Sequence, residues 1–164
     1  MIAEEIIKEA GKKNRSGDWY ISSLQEKLAP LQTQDYSESD TGGVAVGDLV
    51  FFQYGATYPE KYEFWDVQPL AFVLEFRKTG FIGANLHYIN PDYRDAVAKS
   101  LINKDGGAIV PHNSIHHYLY NGIGSLFKIP EDEDWGSISL LPTERFIDKR
   151  GNKYPKHKAW NWRK

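Results

Sequence analysis

The hydrophobic period of this chain changes once, across a polar stretch, and that change constrains its architecture more than any other feature. Residues 32–43, QTQDYSESDTGG, are polar and turn-forming and read as an exposed linker that continues to residue 46. Before it the apolar residues recur at helical spacing. Ile2 to Lys13 forms one expected helix and Gly17 to Leu28 a second, with Tyr20, Leu24 and Leu28 on one face. Ser16 supplies an N-cap to the second helix, Asp18 an acid in its positive first turn, and Pro30 a stop.

After the linker the pattern is that of strands. Gly47-Asp48 opens LVFFQY, a β-branched and aromatic run; WDVQPLAFVLEF, Trp65 to Phe76, supplies a second strand; Phe81 to Leu86, following the Thr79-Gly80 turn, supplies a third. Asn90-Pro91-Asp92 starts a helix expected to run to about Ile102. Asn113 is read as the cap of another helix, with Ile115, Leu119 and Ile123 at four-residue spacing, and SISLLP as a strand ended by Pro142. The expected fold is therefore α+β: a small bent antiparallel β-sheet or partial barrel with flanking helices. Its parts are a helical segment (1–31), the linker (32–46), an α+β core (47–146) and a basic aromatic tail (147–164).

A chain of 164 residues suits one domain, and with 14% aromatic residues rings must supply much of its core. It contains no cysteine, which excludes disulfides, thiol nucleophiles and cysteine-ligated metals. MIAEEIIKEAGKK has no apolar run, so neither a signal peptide nor a membrane anchor is expected, and synthesis inside the cell follows.

Charge is distributed unevenly. From Arg145 onward, Arg145, Lys149, Arg150, Lys153, Lys156, Lys158, Arg163 and Lys164 face a single acid, Asp148, for a net of +7, while the rest of the chain carries −9. Nucleic acid would therefore be attracted to the tail and repelled by the body. Tyr154, Trp160 and Trp162 are interleaved with these cations. Two readings stand: the rings stack on unpaired bases while the cations neutralise phosphates, or the tail docks on a neighbouring protein through Trp, Tyr and Arg anchors.

Enzymatic patterns are sparse. His112 and His116 stand four apart, but Asn113 as a cap would leave His112 outside the helix, and the glutamate of a zinc-protease motif is missing between them. Asp66 with Glu75 and Arg77 allows a magnesium-dependent nuclease reading, against which a solvated strand face explains the same residues. Gly42-Gly43 and Gly47 lack the flanking strand and lysine of a phosphate loop, and Ser114 lacks a hydrolase elbow. The expectation is no catalytic residue, no metal and no cofactor.

Residues 47–97 hold an ordered set of motifs: Gly47 with Phe51 to Tyr54, Trp65-Asp66 with Pro69-Leu70, Gly80-Phe81-Ile82-Gly83, Asn85-Leu86-His87-Tyr88, and Pro91 with Arg94. Trp19-Tyr20, Tyr118-Leu119, Trp135 and Leu141-Pro142-Thr143-Glu144-Arg145-Phe146 extend the set. In these residues the chain resembles a family of virion proteins of contractile-tailed phages known as DNA end protectors. The resemblance implies a non-enzymatic particle protein, made in the host cytoplasm. It would act at the head–tail region or on packaged DNA ends within a multi-subunit assembly, its partners being other virion proteins and, through the tail, DNA. A tail or baseplate component binding only virion proteins, and a head-completion nuclease, are the alternatives. Among the motif residues Asp66, Asn85, His87 and Arg94 are the polar exceptions and are expected to form a buried hydrogen-bond network, because an unpaired buried polar group costs about 1–3 kcal/mol.

Overall fold

The computed structural model describes residues 1–32, 43–103 and 110–161. Ile2–Ala10 (α1) and Gly17–Leu28 (α2) open the chain. The first helix is shorter than expected because Gly11 adopts a positive φ of 59° and turns the backbone away. Ser16 caps the second, its hydroxyl accepting from the Trp19 N–H at 3.2 Å. Asn90 does the same for Pro91–Ile102 (α3), accepting from Asp92 N–H at 3.0 Å.

Leu49–Tyr54 (β1), Leu70–Phe76 (β3) and Gly80–Asn85 (β4) form the centre of a five-stranded antiparallel sheet of order β5-β4-β3-β1-β6, whose edges are Ile115–Leu119 (β5) and Ile123–Lys128 (β6). The expected single strand Trp65–Phe76 is two: Phe64–Asp66 (β2) leaves the main sheet and pairs with Phe146–Asp148 (β7), while Val67 to Pro69 crosses between the sheets. The class is α+β, and the sheet is bent without closing into a barrel.

Two expectations fail. Residues from Asn113 to Ile123 form no α-helix but β5, flanked by 3-10 turns at His112–Ser114 and Tyr120–Gly122, and the start of β6. Apolar residues four apart share a face in a strand as well as in a helix, and the ring-rich IHHYL segment favours the strand. SISLLP is likewise no strand: Trp135–Leu140 is a helix (α4), capped by Asp134, whose carboxylate accepts from Gly136 N–H at 3.1 Å. Trp135, Ile138 and Leu141 are buried at three-residue spacing.

β5 and β6 lie at opposite edges of the sheet yet are joined by three residues, which obliges the sheet to curl until its edges approach at one end. Gly55 N–H donates to Gly122 O at 2.9 Å, and Leu119 N–H donates to the Tyr54 hydroxyl at 3.2 Å, tying that end together. Register shifts at Phe52/Tyr54 and Val73/Glu75 sharpen the bend.

Strand alternation sends side chains to two cores. Leu49, Phe51, Leu70 and Phe72 face the helices and pack with Ile6, Leu24, Leu28, Ile138 and Leu141. Val50, Phe52, Tyr54, Val73, Phe81 and Tyr118 fill the concave face. There Phe52, Tyr54 and Tyr118 meet edge to face at centroid separations of 5.0–6.2 Å. Of the expected linker, residues 33–42 lie outside the described residues; Val44 beyond them is buried in the concave core. Among the described residues no helix is long and apolar enough to cross a membrane.

Candidate functional site

Asp66 ends β2 with no exposed carboxylate surface and accepts four hydrogen bonds. Oδ1 takes the N–H groups of Gln68 (3.0 Å) and Arg145 (3.1 Å), and Oδ2 takes Asn85 Nδ2 (3.0 Å) and His87 Nδ1 (2.7 Å). Burial by itself pushes this carboxyl up; His87, with Asn85 and the Gln68 N–H, outweighs burial and holds it below the usual carboxylate range. Asn85 is saturated as well: its amide also donates to Tyr118 Oη at 3.1 Å, and its oxygen accepts from Leu70 and His87 N–H. His87 Nε2 meets Thr143 Oγ1 at 2.9 Å.

Asp66, His87 and Thr143 thus have the connectivity of an acid–imidazole–hydroxyl relay, but each is 0–1% exposed, so no substrate reaches the hydroxyl. The chemistry open to the group is structural. It clamps β2, the short turn Leu86–Tyr88 and residues 143–145 into one block.

Arg94, placed by the first turn of α3, makes a second, adjoining buried cluster. It donates to the carbonyls of Ile89 (2.7 Å), Ser139 (2.9 Å) and His87 (3.2 Å) and pairs with Glu144 at 2.9 Å. Burial lowers its pKa, with Glu144 and then Asp66 opposing. Glu144 also holds Lys156 at 2.8 Å, and the Arg94 guanidinium lies 5.5 Å from the centroid of the Trp160 ring. The four polar residues singled out in the sequence therefore fall into two clusters, linked through the His87 backbone. Thr143, Glu144 and Tyr118 belong to the motifs of the resemblance but not to the four residues expected to form the network, although each is a polar group in a motif that also carries core residues.

The C-terminal segment is folded onto the body. Phe64 pairs with Asp148, Trp65 with Ile147 and Asp66 with Phe146. Tyr154 stacks on Phe64 at 4.1 Å, and Ala159, in Lys156–Trp160 (α5), is buried with Phe64, Tyr88 and Phe146. Of the rings expected to meet a base or a neighbour, Tyr154 and Trp160 are thus occupied inside this chain. Trp162, Arg163 and Lys164 lie outside the described residues.

The cations divide differently. Lys149, Arg150, Lys153 and Lys158 are exposed and form no ion pair with a described residue, whereas Arg145, also exposed, meets Asp18 at 3.2 Å. The single acid of the segment is committed to the turn, because Asp148 Oδ1 accepts from Arg150 N–H (2.9 Å) and Asn152 N–H (3.0 Å) while Gly151 supplies a φ of 81°. The turn thus presents Lys149 and Arg150, Lys153 follows it, and Lys158 stands on α5, together forming a basic ridge.

Beside β2 is a cavity of about 300 Å³, walled by Tyr54, Tyr62, Phe64, Tyr88, His116 and Tyr118. Tyr88 and His116 rings lie 4.2 Å apart, and His116 Nε2 is 2.8 Å from the Asn113 carbonyl. His112 and His117 are exposed, and among the described residues no group of three or more His, Cys, Asp or Glu is arranged to hold a metal ion. For the nuclease reading, Asp66 is enclosed while Glu75 is exposed and paired with Arg77 at 3.2 Å, so the two carboxylates share no open site. The chain matches no protein-family model, no curated protein and no solved structure.

Proposed function

We propose that this chain is a non-enzymatic structural protein of a tailed-phage particle that engages DNA ends through the phosphate backbone. The observation that carries DNA contact is the set of exposed cations Lys149, Arg150 and Lys153, on and just after a turn fixed by Asp148, with Lys158 on α5, none of them in an ion pair with a described residue. The motif resemblance over residues 47–97 supports a particle protein of the DNA end protector kind, acting at the head–tail region of the virion. Because Tyr154 and Trp160 are engaged internally, contact at the ridge is electrostatic and blind to sequence.

Counterion release makes the test quantitative. Four to five phosphate contacts give a log–log salt slope of about −4 on duplex DNA, and reversing three of the charges (Lys149→Glu, Arg150→Glu, Lys153→Glu) flattens it by about 3. A wild-type protein that binds DNA with no salt dependence, or a triple variant with the wild-type slope, overturns the reading.

A second reading is favoured by a separate observation. Tyr58, Tyr62, Tyr93 and Tyr120 are exposed aromatic side chains, the residue type that anchors protein interfaces. On that reading the chain is a tail or baseplate component that binds only other virion proteins, and substitution of the ridge leaves particle assembly intact.

A further inference from the structure

The cavity beside β2 is not used by the basic ridge, and its chemistry differs from the ridge's. Its walls are rings, and it is stiffened from behind: Phe64 has Tyr154 stacked on it at 4.1 Å, and Tyr54 and Tyr118 brace each other edge to face at 5.0 Å. At about 300 Å³ it stands at the small end of ligand sites and takes a planar heterocycle with part of its sugar.

Two of its walls carry phenol donors. Tyr54 Oη accepts from Leu119 N–H and Tyr118 Oη accepts from Asn85 Nδ2, and neither phenol donates to a described residue, so each O–H is left to donate. Both rings are more than nine-tenths buried. Desolvation raises the Tyr54 pKa and lifts that of Tyr118 well above the ordinary value, so both remain O–H donors at neutral pH. Asp66, the carboxylate nearest the floor, is spent on four donors, and Glu63 and Lys61 stand exposed at the rim. The cavity therefore favours a neutral, flat, acceptor-bearing ring and offers no buried cation for a phosphate.

Position supplies the remaining step. Phe64 of the wall pairs across the small sheet with Asp148, the residue that immediately precedes Lys149 and Arg150. The cavity wall and the start of the ridge are therefore neighbours across one strand pair. We infer that the cavity holds an unpaired nucleobase, the terminal base of the DNA end whose phosphates the ridge binds. The inference rests on the DNA-end reading above and adds to it the means of telling an end from an interior site, since a base at an end or frayed strand enters without the unstacking and unpairing, a few kcal/mol, that an interior base requires.

The full chain is titrated with thymidine monophosphate and with deoxyadenosine monophosphate by calorimetry, alongside Tyr62→Ala, which removes an exposed wall, and Ala56→Leu, which fills the space. Saturable binding weakened about ten-fold or more in both variants is expected, as loss of a base–aromatic stack requires. In parallel, duplex DNA carries 2-aminopurine at its terminal or at an internal position. Wild-type protein changes the fluorescence of the terminal probe alone, and the two cavity variants lose that response while their duplex salt slope is unchanged. Absence of saturable mononucleotide binding at millimolar concentration, or equal response from terminal and internal probes, overturns the inference. Charge reversal at Lys149 and Arg150 that leaves duplex affinity unchanged removes the ridge reading instead; the mononucleotide titration, which needs no ridge, then still decides the cavity.

Discussion

Replacing Arg94 by methionine removes the donor that joins α3 to three other parts of the chain. The guanidinium donates to three carbonyls and stands in an ion pair with Glu144 inside a site where Arg94 is 1% exposed. Removing one partner of a buried pair costs about 3–5 kcal/mol, because the other charge is left behind in a poorly hydrated place. Here Lys156, at 2.8 Å from Glu144 Oε1 and partly open to solvent, holds the loss toward the lower figure, while the orphaned carbonyls of Ile89, Ser139 and His87 raise it. The methionine stem keeps part of the packing. A net loss of about 3–4 kcal/mol is expected, which for a chain of this length lowers Tm by roughly 10 °C. Thermal denaturation followed by circular dichroism checks it. The companion variant Arg94→Met with Glu144→Gln removes the stranded charge and is expected to regain at least 1 kcal/mol, so the two changes are coupled rather than additive. A single-variant drop under about 2 °C, or strict additivity, refutes the view that this ion pair is an internal tie.

Four further outcomes follow from the same geometry. His87→Ala takes from Asp66 Oδ2 one of its two donors and from Thr143 Oγ1 its imidazole partner, and is expected to cost about 2–4 kcal/mol, read as a lowered urea midpoint; an unchanged midpoint removes the structural role of the network. Asp66 has a folded pKa below its unfolded value of about 3.9, so its contribution is fully present above that value and is lost as pH falls through the lower folded one; Asp66→Asn should flatten the acid limb of stability below about pH 4, and identical limbs in the two proteins would count against it. A Cβ at Gly122 would overlap the Gly55 carbonyl and the Tyr54 ring where the sheet edges meet, so Gly122→Ala is expected to destabilise by about 1–3 kcal/mol and to expose the Gly55 amide to hydrogen exchange. Deleting everything after Phe146 uncovers Phe64 and Tyr88, buried large side chains worth about 1.5–3 kcal/mol each, so the truncated chain should melt well below the intact one, and DNA binding is better dissected by charge reversal.

Sequence order disclosed those elements whose determinants are local. Ser16 before α2, and Asn90 with Pro91 before α3, are caps that act within three residues, so both helices begin where expected. The run LVFFQY is a strand in any context that buries both of its faces, and the bent sheet does so. Legibility fails where two periods agree. Ile115, Leu119 and Ile123 satisfy both a helix and a strand, and the choice is made by pairing with β4 at one edge and β1 at the other, neither of which is written in the segment itself. Six residues of α4 are too few for a period to show, although Asp134 marks its start.

The C-terminal segment shows why a tail read from composition alone is ambiguous between stacking and docking. Rings and cations alternate along it, and composition gives them one shared role; the partners that separate them, Phe64 for Tyr154 and Arg94 for Trp160, lie about 90 and 66 residues upstream. Long-range pairing turns the rings inward as anchors and leaves the cations outside, Lys149 and Arg150 of them on a turn that Asp148 stiffens. The buried network contributes to the same end, since Asp66 accepts from the Arg145 amide and so ties the start of β7 to the main sheet through Asn85. Ridge, small sheet and cavity wall therefore share one rigid base. Loss of Asp66 or His87 should accordingly weaken DNA binding only as far as it loosens the platform, whereas loss of Lys149 or Arg150 should weaken it with the fold intact, and stability measured beside affinity in each variant separates support from contact.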